Sequence, residues 1–171
     1  MGAAAGAPLL VTGAAGFIGA RFVASCLSRG IPFLAVDEPA HFRDRKEHRE
    51  IAFGEVMDRK RLPSWLESER PELRGIVHLG ACTDTTQMDM DFLDRVNDSY
   101  SKSLWRFAAE RGVPLVYASS AATYGDGSEG YDDDEARIPR LRPLNPYGDS
   151  KQRFDLFALA EESRGMTPPA W

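Results

Sequence analysis

Tyr147 and Lys151 stand four residues apart in Tyr147-Gly-Asp-Ser-Lys151, the spacing that puts two side chains on one face of a helix, one turn apart. A free tyrosine has a pKa of about 10 and is a poor base at neutral pH. A lysine ammonium one turn away, helped by an oxidised nicotinamide, favours the phenolate. Such a tyrosine can take the proton of a substrate hydroxyl as hydride leaves for a cofactor. The pair alone also reads as a cation packed on an aromatic face, so its place in the chain matters. It follows Ser119-Ser120, at the end of a predicted strand, and parallel α/β sheets bind ligands outside the carboxyl ends of their strands. A serine there can hydrogen-bond the reacting oxygen, and Ser120 is the choice over Ser119.

A second set of residues suits phosphate. Gly13, Gly16 and Gly19 lie in Val11-Thr-Gly-Ala-Ala-Gly-Phe-Ile-Gly19, after an apolar run of strand type and at the opening of a helical pattern. In such a loop one glycine permits the tight turn, another lets the backbone approach a pyrophosphate, and the third allows close helix–strand packing. The helix N-terminus adds free N–H groups and partial positive charge. Asp37 follows about 20 residues on, where an acid can hydrogen-bond the adenosine ribose hydroxyls. That acid favours NAD, whereas Arg43, Arg45 or Lys46 nearby can accommodate the extra phosphate of NADP. The cofactor choice is open on these residues alone.

These groups need a scaffold, and the chain reads as one. Apolar runs of strand length alternate with segments of helical period, which predicts an α/β fold with a doubly wound parallel sheet. Strands are expected at Pro8–Thr12, Pro32–Val36, Ile51–Val56 (the weakest), Gly75–Leu79 and Leu115–Ala118. Helices are expected over Phe17–Ser28, stopped by Gly30, over Phe92–Arg111, with Val96, Tyr100, Leu104 and Ala108 at helical spacing, and over about Tyr147–Ser163. The charged stretch His41–Glu50 reads as a solvated loop or short helix, and the polar stretch Gly125–Arg137 as a loop. No internal repeat is visible.

Composition narrows the class. The 171 residues carry a net charge of −5 and 43% hydrophobic residues, enough for one core and unsuited to binding a nucleic-acid backbone. No apolar run is long enough for a membrane span, and residues 1–7 read as a loose start rather than a signal peptide. Cys26 and Cys82 lack metal-type spacing, and His41, His48 and His78 are scattered, so no metal site is expected. His78 reads as a strand-end residue bonded to backbone. A cytoplasmic address is the simplest reading.

The glycine loop, the strand-end acid, Ser120 and Tyr147-xxx-Lys151 together resemble the extended short-chain dehydrogenase/reductase family, which acts mainly on nucleotide sugars. His78–Thr86, Asn97–Ser101, Tyr117–Gly125 and Pro143–Gly148 resemble more narrowly those members that invert C6 of ADP-heptose for lipopolysaccharide synthesis. The resemblance implies a cytoplasmic, homo-oligomeric NADP-dependent epimerase working by transient oxidation and hydride return, with NAD as the other candidate cofactor. It implies that Phe17 and Ile18 line the pyrophosphate loop, that Asp37 and Glu38 contact the ribose, and that Glu55 and Val56 contact the adenine. Leu79, Gly80, Ala81, Cys82, Thr83 and Asn97 would border the cofactor, with Ser120, Tyr147 and Lys151 around the nicotinamide.

Two departures are visible, Gly54-Glu55 for the family's Gly-Asp and Asp37-Glu38-Pro39 for its more open acid-Asn segment. Proteins of this type run to nearly twice this length. Residues 165–171 therefore read as a linker toward a further strand, in a Rossmann domain lacking its last strands, the sugar-binding domain and a second lysine acid/base. Little or no epimerase activity is expected of the 171 residues alone. Two other readings stand beside this one: another nucleotide-sugar epimerase, such as one acting at C4 of a hexose, and a silent NAD(P)-binding module. Sugar dehydratases of the family place Asp-Glu after the threonine of the serine motif, whereas Tyr124-Gly125 follows Thr123 here.

Overall fold

The computed structural model describes residues 6–45 and 48–170. Residues 1–5 of the expected loose start over 1–7, the candidate phosphate ligand Lys46 and the final Trp171 lie outside the described residues. The chain divides into two compact units. The first holds residues up to Gly80, Phe107–Tyr117 and the stretch from Pro168 on; the second holds Ala81–Arg106 and Ala118–Thr167.

The first unit is built on a sheet of five parallel strands, β1 (Leu9–Thr12), β2 (Phe33–Asp37), β3 (Val56–Asp58), β4 (Gly75–His78) and β5 (Leu115–Tyr117), in the order β3-β2-β1-β4-β5. The order reverses at β1, which opens a crevice at the carboxyl ends of β1 and β4, where Rossmann-type α/β sheets bind their ligands. β1 and β2 read as short apolar runs because both faces of a parallel sheet are covered. Val11, Ala14, Ala20, Val23, Ala35 and Phe53 form one buried cluster, with Phe22, Phe33, Phe42 and Ile51 packed on it.

Helix α1 (Phe17–Ser28) follows β1. It ends where Gly30, at φ +63°, takes the left-handed turn that the sequence assigns to it. Helices α2 (Pro39–Asp44) and α3 (Leu62–Glu69) complete the unit. α2 forms in the charged stretch. α3 has no counterpart in the sequence reading, because Leu62 and Leu66 alone carry its buried face among charged neighbours.

The third strand requires a correction. Ile51–Val56 looks like a strand because apolar and small residues alternate, yet strand geometry begins only at Val56. Gly54 adopts φ +65°, outside the β region. The apolar side chains of Ile51 and Phe53 fill the core from a coil segment instead. At the far edge, Leu115 N–H donates to the carbonyl of Ala170 at 2.9 Å, so the chain at Ala170 bonds to β5.

The second unit is helical. α4 (Met90–Leu93) runs through a wide π-turn, Asp94–Ser99, into α5 (Tyr100–Arg111), whose residues from Phe107 on belong to the first unit. The Asp89 side chain caps α4 by accepting from Phe92 N–H. A single helix with a Val96–Tyr100–Leu104–Ala108 face was expected; the π-turn shifts the buried stripe to Leu93, Asn97, Asp98, Ser101 and Leu104. The Gly125–Arg137 loop ends in a 3-10 helix, Glu135–Arg140, capped by Asp134. α6 (Pro146–Ser163) is the longest element, with Asn145 capping it through Gly148 N–H and Pro146 in its first turn. Trp105 and Phe154 are fully buried, edge to face with centroids 6.2 Å apart. No helix among the described residues is long and apolar enough to cross a membrane.

Candidate functional site

In the first unit the glycine loop is held tightly enough that no other residue fits at Gly13 or Gly19. Gly13 sits at φ +67°, and a Cβ there would lie 2.7 Å from the backbone of Leu79 and Gly80. A Cβ on Gly19 would lie 2.0 Å from the Gly13 carbonyl oxygen. These glycines let the turn close and bring the chain after β4 against the loop. Thr12 fastens that contact: its Oγ1 lies 2.6 Å from His78 Nδ1 and accepts from Gly80 N–H at 3.2 Å. Leu79 N–H donates to the Thr12 carbonyl.

Gly16 caps α1 without a side chain, and Ala20 N–H to Gly16 C=O is the first bond of the helix. The N–H groups of Phe17, Ile18 and Gly19 precede that bond, the arrangement that receives a phosphate. The side chains of Phe17 and Ile18 are 77% and 65% exposed on this turn. A cradle with no room for a Cβ, opening on free helix N–H groups, fits a dinucleotide pyrophosphate.

Asp37 is buried at the end of β2, but its carboxylate is committed. One oxygen accepts from Ala15 N–H at 3.0 Å; the other accepts from Glu38 N–H at 2.8 Å and lies 2.9 Å from His41 Nδ1. Glu38 faces Arg59 at 3.3 Å, and Arg45 donates to the Ala15 carbonyl at 2.6 Å. The strand-end acid therefore organises the glycine loop. Val56 opens β3 opposite Ala35 of β2, with Glu55 exposed before it.

The second unit gathers the remaining residues. Asn97, fully buried on the π-turn, clamps the loop Ala81–Thr83: its Oδ1 accepts from Cys82 N–H at 2.8 Å and its Nδ2 donates to Cys82 C=O at 3.0 Å. The same Nδ2 donates to Ser150 Oγ, which donates to the Tyr147 carbonyl. The π-turn is what aims an amide at both partners.

Ser120 starts the short 3-10 turn Ala121–Tyr124, its Oγ accepting from Ala122 N–H at 3.2 Å. That turn meets the start of α6 at Gly148, where a Cβ would lie 2.7 Å from the Ala122 carbonyl. Gly148 thus lets the Ser120 turn approach the helix that carries Tyr147 and Lys151. Both side chains are buried, Lys151 at 2% exposure. Burial pushes the Lys151 ammonium below the usual lysine range, and the Asp155 carboxylate pulls it back up. Ser119 points elsewhere, donating to Asp155 Oδ2 at 2.6 Å.

Sequence reasoning missed Gly148, Ser150 and Asp155.

A Rossmann-type sheet with its glycine loop, and a helix bearing a buried Tyr-xxx-Lys pair, define a class of dinucleotide-binding α/β protein. Within that class, the model of the NAD dependent epimerase/dehydratase family matches residues 9–168, and the chain belongs to that family. It is similar to the ADP-L-glycero-D-manno-heptose-6-epimerase of Fusobacterium nucleatum, at 37% identity over 168 residues, covering 95% of this chain and 50% of that one. The enzyme of the same name from Nitratidesulfovibrio vulgaris is 41% identical over 155 residues, covering 89% and 48%. The chain thus spans about half the length of these curated relatives.

Among solved structures, the Helicobacter pylori ADP-L-glycero-D-manno-heptose-6-epimerase superposes with a TM-score of 0.73 at 23% identity, covering 91% of this chain and 51% of that one, a likeness of fold. MoeE5 in complex with UDP-glucuronic acid and NAD superposes with a TM-score of 0.67 at 28% identity, covering 94% and 51%.

Proposed function

We propose that these 171 residues are the NAD(P)-binding Rossmann part of a nucleotide-sugar epimerase that inverts C6 of ADP-D-glycero-D-manno-heptose by transient oxidation and hydride return. The observation that carries the reading is the buried Tyr147–Lys151 pair on α6, with the Ser120 turn packed on Gly148 beside it. The similarity to ADP-heptose epimerases supports the substrate. With it come a role in lipopolysaccharide precursor synthesis, a cytoplasmic address and a homo-oligomeric whole protein.

In this reading the first unit holds the dinucleotide phosphates, on the Gly13–Gly19 loop and the first N–H groups of α1. A bound nicotinamide supplies the hydride acceptor and donor. Tyr147 Oη moves the proton of the sugar hydroxyl, with the buried Lys151 one turn away on the same helix. Ser120 Oγ, steadied by Ala122 N–H, holds the reacting oxygen. Asn97 and Ser150 fix the backbone that presents Cys82 and Tyr147. NADP is the preferred cofactor, because the Asp37 oxygens are already engaged by Ala15, Glu38 and His41 while Arg43 and Arg45 lie in the same stretch of chain with positive charge.

The test is to incubate the whole protein that carries this chain with NADP and ADP-D-glycero-D-manno-heptose and read the C6 configuration by proton NMR. The L-glycero epimer is expected. An unchanged heptose together with C4 inversion of a UDP-hexose would transfer the reading to the rival epimerase. Cofactor binding without turnover of either sugar would favour the silent module.

A further inference from the structure

We propose that Asp155 is a positioning residue of the Tyr147–Lys151 pair: its buried carboxylate, oriented by the Ser119 hydroxyl, is the counter-ion that keeps the buried Lys151 charged. The proposal deepens the reading above and rests on it only for its catalytic consequence.

Tyr147, Lys151 and Asp155 recur every four residues on α6, and all three are buried, Asp155 at 5% exposure and Lys151 at 2%. An isolated buried ammonium sheds its proton to escape the cost of desolvation, and an isolated buried carboxylate takes one up. Placed one turn apart, each offsets the other's cost. The Asp155 carboxylate favours the charged form of Lys151 against the burial that disfavours it.

Most other charges on the elements packed against α6 have partners of their own, and Arg95 is exposed. Asp94 and Asp98 meet Arg153, and Asp98 also meets Lys102. Arg137 pairs with Asp132, Arg140 with Glu129, and Tyr124 bonds Asp133. Asp91 and Glu135 are exposed.

Ser119 gives Asp155 its orientation. Its hydroxyl donates to Asp155 Oδ2 at 2.6 Å, a short, charge-assisted bond. Ser119 is also the neighbour of Ser120, so one carboxylate ties the backbone that carries the reacting-oxygen donor to the helix that carries the proton-transfer pair. Loss of the Asp155 charge would leave Lys151 neutral at lower pH and withdraw its positive charge from the helix turn that carries Tyr147.

The test is a 13Cε NMR titration of the four lysines in the full chain without cofactor, with Lys151 assigned through Lys151→Arg. Asp155→Asn keeps the shape and the Ser119 contact but removes the charge. The Lys151 midpoint is expected to shift down in Asp155→Asn and to recover in Asp155→Glu, with Lys60 and Lys102 unmoved. A Lys151 midpoint in Asp155→Asn equal to or above that of the unsubstituted chain would overturn the proposal.

Should Asp155→Asn fail to fold, the unsubstituted chain still decides. The Lys151 signal is expected to show a second inflection as Asp155 protonates, and a Lys151 signal flat through the carboxylate range contradicts the proposal. Neither titration involves hydride transfer, so failure here is separable from failure of the epimerase reading, which would show as an unchanged C6 configuration of the heptose.

Discussion

At the scale of single residues, the account rests on groups whose replacement has a defined consequence. Tyr147→Phe removes the proton carrier and leaves the fold intact. In the whole protein that carries this chain, kcat is expected to fall about 10²- to 10⁴-fold, with cofactor Kd unchanged, measured by epimerisation kinetics beside calorimetric titration. The two thiols give a second check. Burial pushes the Cys26 thiol above the usual range, so at any pH less of it is thiolate, the reactive form. Cys82 is partly exposed on the loop clamped by Asn97. A thiol reagent at neutral pH is expected to label Cys82 first, as followed by mass spectrometry. Labelling of Cys26 first would contradict the placement of both.

Tyr147 and Lys151 were legible in the sequence because a four-residue spacing is itself geometry. Asp155 was not. An acid four residues beyond a lysine looks like any solvated helix pair, and only its burial and the Ser119 bond distinguish it.

Among the elements, the π-turn Asp94–Ser99 has the most specific job, because it aims Asn97 at Cys82 and Ser150 at once. Asn97→Ala leaves the Cys82 N–H and C=O without their partner. A loss of about 1–3 kcal/mol per unsatisfied group is expected, together with faster amide hydrogen exchange at Cys82. Unchanged exchange there would remove the clamp from the account.

Lys151 gives α6 a pH signature. Its folded value lies below the usual lysine value, so between the two the unfolded chain binds more protons and stability rises with pH. The burial cost is fully present below the folded value and relieved as pH climbs toward the ordinary one. Urea unfolding across the alkaline range is expected to show that rise, and Lys151→Met to flatten it. The helix–strand alternation was legible from periodicity, whereas the π-turn was not, since one extra residue in a turn leaves apolar spacing nearly intact. The third strand was misread for the opposite reason. Ile51 and Phe53 alternate like a strand, and only the positive φ of Gly54 shows that the core takes them from coil.

For the molecule as a whole, the sheet order β3-β2-β1-β4-β5 explains why the glycine loop stands where it does. From β1 the chain winds one way through β2 and β3 and then the other way through β4 and β5, and that reversal leaves the carboxyl end of β1 open to ligand. That architecture was readable from the alternation of apolar runs and helical segments. The division into two compact units was not, because it depends on long-range packing such as that of Trp105 on Phe154 and Phe157. Trp105→Ala is expected to cost about 3–5 kcal/mol, read from unfolding followed by circular dichroism.

The central claim is that the Gly13–Gly19 loop holds a dinucleotide, and calorimetric titration of this chain with NADP and NAD tests it most directly. One saturable site, tighter for NADP and lost in Gly13→Val, is the expected result. Absence of heat with both dinucleotides, or binding that survives Gly13→Val unchanged, would contradict it.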